Sequence, residues 1–135
     1  MSRLTHQDYE SLADFRYLLR KFLRFSKDFL RSAGLSPEQY EALLAIKAFA
    51  TSSGLTILHL SERLQVKHHS AVNTVDRLAE RKLITRQTSA TDRRQRHLKL
   101  TDRGEKLIEE LAAAHRKEMR SRSPEMIKAL QRLRR

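Results

Sequence analysis

No cysteine occurs anywhere in these 135 residues. Disulfides, thiolate metal sites and a cysteine redox switch are therefore excluded. Glycine is scarce: the chain has three, and they form neither a glycine-rich phosphate loop nor a nucleophile elbow. Serine, histidine and aspartate all occur, but at no spacing that supports a hydrolytic triad. Long apolar runs are missing as well. The longest, Ala42 to Ala50, is interrupted by Lys47 and is too short to span a bilayer. The opening "MSRLTHQDYE" lacks the apolar core of a secretory signal. An enzyme and a membrane protein both lose support, no cofactor is expected, and a cytoplasmic location is.

Negative charge is also short. Asp and Glu number 16 against 28 Lys and Arg, a formal net charge of +12. Solubility does not require one sign in such excess. The natural partner of so basic a chain is a polyanion, with nucleic acid ahead of an acidic membrane surface or an acidic protein.

The length suits a single domain, 1–135. From Gln7 to Ser32, Leu12, Phe15, Leu19, Phe22, Phe29 and Leu30 recur at steps of three and four, which predicts an amphipathic helix with an aromatic face. Arg16, Arg20, Arg24 and Lys27 fall on its other side. In "SPEQYEALLAIKAF", Ser36 is an N-cap, Pro37 takes the first helical position and Gln39 completes a capping box. That helix, about 37–50, is apolar on most sides through Tyr40, Leu43, Leu44, Ile46 and Phe49, and is expected to be buried. A short helix ending near Leu64 and a turn at 65–67 lead to a longer helix from His68 to about Arg81. Its inward residues are expected to be Ala71, Val72, Val75, Leu78 and Ala79. Thr101 caps a helix running to about Arg120, and Ser123-Pro124 signals the start of another.

Between the last two blocks lies "LITRQTSATDRRQRHLKL", two β-prone stretches around a cationic tip. Short helix, three-residue turn, longer helix and two-stranded ribbon together describe a winged helix-turn-helix. The longer helix fits a major groove, and the ribbon tip reaches the neighbouring minor groove, where an arginine is best placed. On that helix, Ser70, Asn73, Thr74 and Arg77 follow a three-to-four spacing away from Val72 and Val75. His68 and His69 lie at its exposed start. Asparagine suits adenine, arginine suits guanine, and serine or threonine suits phosphate or either base.

Three stretches in order, "LSPEQYEALLAI" (35–46), "LTILHLSERLQVKHHSAVNTVDRLAERKLITR" (55–86) and "DRRQRHLKLTDRG" (92–104), resemble the MarR (multiple antibiotic resistance regulator) family of transcription factors. The resemblance covers almost the whole chain and implies a mainly α fold with a small β-hairpin wing. The winged helix-turn-helix would occupy 36–101, flanked by dimerisation helices at 7–33 and 102–135. It further implies a homodimer on a pseudo-palindromic double-stranded DNA operator, with recognition helices about one helical turn (~34–36 Å) apart. By the same resemblance Arg94 takes the place of the wing arginine in the minor groove, and Asp92 that of the carboxylate orienting the wing, partnered by Arg94 or Arg77. Arg93 and Arg96 complete the DNA-binding wing. Two departures stand out: Gln65 where glycine is frequent, which predicts a slightly strained or open turn, and Lys67 where a serine or threonine cap is common.

On family grounds the regulator is a repressor relieved by a small aromatic or anionic effector. The aromatic face of the first helix then serves as dimer core and, in part, as a pocket wall, with Arg16 or Arg20 as counter-charge. His115 lies on an apolar stripe and reads as a packed or interface histidine. No metal site is expected, because His68 and His69 diverge by about a hundred degrees and His115 with Glu118 lacks a third ligand. The competing reading from composition is a non-specific architectural nucleic-acid-binding protein, for which a cluster of short polar groups on one helix would be wasted.

Overall fold

The computed structural model describes residues 3–88 and 96–135, the side chain of Arg96 excepted. Its elements run α1 His6–Ser32, α2 Pro37–Phe49, β1 Leu55–Thr56, α3 Ile57–Leu64, α4 His68–Glu80, β2 Ile84–Thr88, β3 Arg96–Leu100 and α5 Asp102–Leu133. Local chemistry sets most starts. Thr5 and Asp8 form a capping box on α1, with N–H to oxygen distances of 2.8 and 3.1 Å. Ser36 and Gln39 do the same on α2, at 3.1 and 3.2 Å. Thr101 caps α5 by accepting from the Gly104 N–H at 3.0 Å. Each box satisfies donors that a helix start otherwise leaves bare.

The core lies beneath the sheet and among α2, α3, α4 and the first half of α5. Leu43, Ile46, Leu60, Val75, Leu78 and Leu98 are essentially inaccessible there. The sheet is antiparallel in the order β1-β3-β2. Leu55 and Thr56, just before α3, thus form a third strand beside the expected pair, with Leu55 opposite Leu98 and Ile84 opposite Leu100. This leaves β3 central and faces Leu98 into the core.

α1 packs chiefly along α5. Its fully buried positions are Ser11, Leu18, Ser26 and Leu30, whereas Leu12 and Leu23 stay about half exposed. The expected Leu12–Leu19 stripe is therefore rotated: small side chains sit where the two helices approach closely, and larger apolar ones are left at the rim. α2 departs in the same way, since Leu44 and Phe49 are exposed. The Phe49 ring carries the Arg63 guanidinium 4.1 Å above it.

Pro124 does not open a new helix. It lies inside α5, which runs unbroken for 32 residues. Proline there removes the N–H that would bond the Arg120 carbonyl. The Ser123 hydroxyl donates to that same carbonyl at 3.3 Å, which offsets the loss and lets the helix continue.

Candidate nucleic-acid interface

α3, a three-residue turn and α4 make the helix-turn-helix. Gln65 closes the turn in the left-handed region, at φ 54°. Its N–H reaches the Glu62 and Ser61 carbonyls, and its side-chain amide donates to the Glu62 carbonyl at 2.8 Å. The turn is closed, not open, and the strain of a non-glycine residue is held by those bonds. Lys67 is the N-cap of α4 and supplies no side-chain cap. The first turn of α4 holds no acidic residue either, and although the Ser70 and Ala71 N–H groups donate to the Lys67 carbonyl, the positive dipole end favours an anion.

His68, His69, Asn73 and Arg77 are exposed on α4, and Ser70 is partly so. Thr74 borders this face without being exposed on it. It is buried at 6% exposure, and its hydroxyl donates to the Ser70 carbonyl at 3.1 Å. Turned further round than spacing alone suggests, it belongs to the packed side with Ala71, Val75 and Leu78. Ser70, Asn73, Thr74 and Arg77 together line a groove of about 640 Å³, whose far wall is the start of α2 and which Lys27 of α1 also borders. Lys27, read from sequence only as one of α1's solvated cations, is thus brought beside the polar face of α4. Gln39 lies there too, where its capping role was the only signal.

Asp92, Arg93 and Arg94 lie outside the described residues. Arg96 begins β3 opposite Thr88, and only its backbone is described. The root of the wing is fixed at two points. Arg86 on β2 forms an ion pair with Asp76 on α4, an association invisible to sequence because its partners sit on different elements. At the other end Thr101 donates its N–H to the Leu83 carbonyl at 3.0 Å and its hydroxyl to the Lys82 carbonyl at 2.7 Å. Gly104 packs directly against that segment; a Cβ built there would fall on the Leu83 carbonyl.

His115 is buried, and both ring nitrogens are engaged. Nδ1 lies 2.7 Å from the Leu111 carbonyl, and Nε2 lies 2.8 Å from the Ser26 hydroxyl. A carbonyl only accepts, so Nδ1 carries a proton and donates to Leu111, while Nε2 and the Ser26 hydroxyl share the second bond. Tyr40 stacks on the ring at 4.2 Å, and Phe22, Phe25 and Phe29 meet it edge-on. This aromatic box joins α1, α2 and α5. Phe22, Tyr40 and His115 of this box form one wall of a cavity of about 630 Å³ whose lining is mainly apolar, with Leu44 and Met119 also lining it. The cations at that cavity are Lys27 and Arg116; Arg16 and Arg20 are exposed elsewhere on α1. Glu41 also lines it, and burial, then the charge of Glu38, pushes its carboxyl above the usual carboxylate value. Among the described residues no three His, Asp or Glu side chains converge as metal ligands. No described helix is long and apolar enough to cross a membrane.

Comparison with known proteins meets this geometry directly. A MarR-family model matches residues 33–95. One point mutant of MepR from S. aureus is similar in structure, with a TM-score of 0.73 and 25% identity over 79% of this chain and 77% of that one. A second MepR mutant, solved bound to an oligodeoxyribonucleotide, gives a TM-score of 0.69 and 25% identity over 88% and 82%. Apo MarR from E. coli shares the fold at a TM-score of 0.63, with 22% identity over 71% and 69%. Residues 33–95 thus match the MarR-family model, and the chain around them takes the winged helix fold of these solved MepR and MarR structures.

Proposed function

We propose that this protein is a sequence-specific double-stranded DNA-binding transcriptional regulator, acting in the cytoplasm as a homodimeric repressor relieved by a small aromatic or anionic effector. The exposed face of α4 carries the reading. His68, His69, Ser70, Asn73 and Arg77 present short polar and cationic groups on a helix narrow enough for the major groove, on a chain of net charge +12. Asn73 and Arg77 supply base-edge contacts, while Lys27 and the open N-terminal turn of α4 hold phosphates. Asp92, Arg93, Arg94 and Arg96 form the wing that enters the minor groove, by analogy with the family.

Dimerisation is supported by apolar side chains left exposed on the two flanking helices. Leu4 just precedes α1, Tyr9 and Leu12 lie near its start, and Ile127 and Leu130 lie at the end of α5. The effector site is the aromatic cavity beside His115. Its apolar lining suits a planar ring, and Lys27 and Arg116 suit an anionic substituent. Lys27 borders both this cavity and the α4 groove, so a ligand that recruits it withdraws a cation from the DNA face.

Selection of sites from a random duplex pool tests the reading. An inverted repeat with half-sites about one turn (~34–36 Å) apart is expected. Recovery of no common sequence would favour the architectural alternative that the net charge also supports.

A further inference from the structure

α4 packs on α3, α2 and β2, all parts of the winged unit to which it belongs. Those contacts place it within that unit. Arg81 reaches elsewhere. It is the C-cap of α4, and its guanidinium donates to the end of α1, from Nη1 to the Gly34 carbonyl at 2.9 Å and from Nη2 to the Ala33 carbonyl at 3.4 Å.

The end of α1 is shaped to receive it. The Leu30 and Arg31 carbonyls are already taken by the N–H groups of Ala33, Leu35 and Gly34. Gly34, at φ +72°, turns the chain in the left-handed region, and its carbonyl and that of Ala33 both meet the guanidinium. A helix C-terminus is the negative end of its dipole, so a cation there is favoured. A planar fork spans two acceptors at once, which a lysine ammonium does less well.

Along its length of roughly 40 Å, α1 carries three features in order. Tyr9 and Leu12 are exposed apolar groups at its start. Phe22, Ser26 and Lys27 follow on the wall of the aromatic cavity. The carbonyls held by Arg81 come last. We propose that Arg81 is a positioning residue that transmits the placement of α1 to the recognition helix, and thereby sets the distance between the two α4 helices of a DNA-bound dimer. The inference rests on the dimeric DNA-binding reading above.

The test compares the wild-type protein with Arg81→Ala and Arg81→Lys. Each is titrated against the inverted repeat selected by the wild type, and against the same repeat with one base pair added or removed between half-sites. Thermal melts run in parallel. The wild type is expected to prefer its own spacing by about tenfold, the scale of a typical coupling between two sites. Arg81→Ala should lose that preference, binding the selected spacing more weakly and the altered spacings about as well as the wild type does. Arg81→Lys, which keeps the charge and one donor, should fall between them. Should Arg81→Ala melt early, the Arg81→Lys profile decides. A uniform loss at every spacing, or an unchanged profile in a folded variant, overturns the proposal. A wild type with no spacing preference removes the dimeric reading, and the proposal with it.

Discussion

Gly104→Ala offers a sharp test because two effects of opposite sign meet at one atom. In an unobstructed helix interior, replacing glycine by alanine stabilises by about 0.5–1 kcal/mol. Here the added Cβ falls on the Leu83 carbonyl oxygen, 3.1 Å from its carbon and 3.5 Å from Leu100 Cδ2. The neighbour is backbone and does not rotate away. Moving it stretches the bond from the Thr101 N–H to the Leu83 carbonyl and the one from its hydroxyl to the Lys82 carbonyl, each worth about 1 kcal/mol. Overpacking a tight site costs about 1–3 kcal/mol more. The sum, after the propensity gain, is a loss of about 2–4 kcal/mol, a large part of a domain's usual ~5–15 kcal/mol. Urea unfolding followed by circular dichroism measures it. β2 starts at Ile84, next to the displaced segment, so operator affinity should fall in the folded fraction as well. A variant as stable as the wild type, or more so, would refute the claim that α5 and the wing root are in contact through this glycine.

The remaining expectations concern the turn, the reading face and the cavity. Gln65→Gly relieves a left-handed residue and should raise stability by about 1 kcal/mol with DNA affinity unchanged; a lower melting temperature would show that the amide bond to Glu62 outweighs the strain. Asn73→Ala should weaken binding to the selected operator by about 1–3 kcal/mol and leave binding to random duplex nearly intact. Thr74→Ala should show the reverse pattern, a modest loss of stability with specificity kept, because its hydroxyl is buried against Ser70; a competition titration separates the two. Glu41 has a carboxyl raised above 4.5 by burial and then by Glu38. Its ionised form is disfavoured in the folded chain, so stability withheld at neutral pH returns as pH falls through the raised value toward 4.5. Glu41→Gln should therefore raise the melting temperature at pH 7 and bring no such gain near pH 4, where the carboxyl is mostly protonated in either state; an equal gain at both would contradict the electrostatic account.

What could be read from the chain, and what could not, follows from the range of the forces involved. Caps, proline positions and apolar periods act over three or four residues. The starts of α2 and α5, the extent of α4 and the β2–β3 pair were accordingly legible from Ser36-Pro37, Thr101 and the alternating "RHLKL". Choices made by packing were not. Spacing puts Thr74 level with Ser70 and Arg77, yet close approach to the core turns it inward. Leu12 and Leu18 are both apolar on one helix, and only the position of α5 decides which is covered. Pro124 carries every mark of a helix start, yet α5 continues through it, with the Ser123 hydroxyl donating to the carbonyl that proline leaves without its N–H. On α4, the exposure of His68, His69, Asn73 and Arg77 was legible because they are polar residues on an otherwise apolar helix. Lys27, Arg81 and the Asp76–Arg86 pair were not, because each meets residues from a different element.

The proposed function requires that α4 read sequence instead of merely adding charge. Its most direct measurement is the ratio of affinities for the selected duplex and a scrambled duplex of equal length, each titrated at two salt concentrations. Both affinities are expected to fall with salt, while the selected duplex stays tighter by a factor of about 10³ or more with two chains per duplex. Equal affinities that decline together with salt would contradict it, and would leave the net charge as the whole of the interaction.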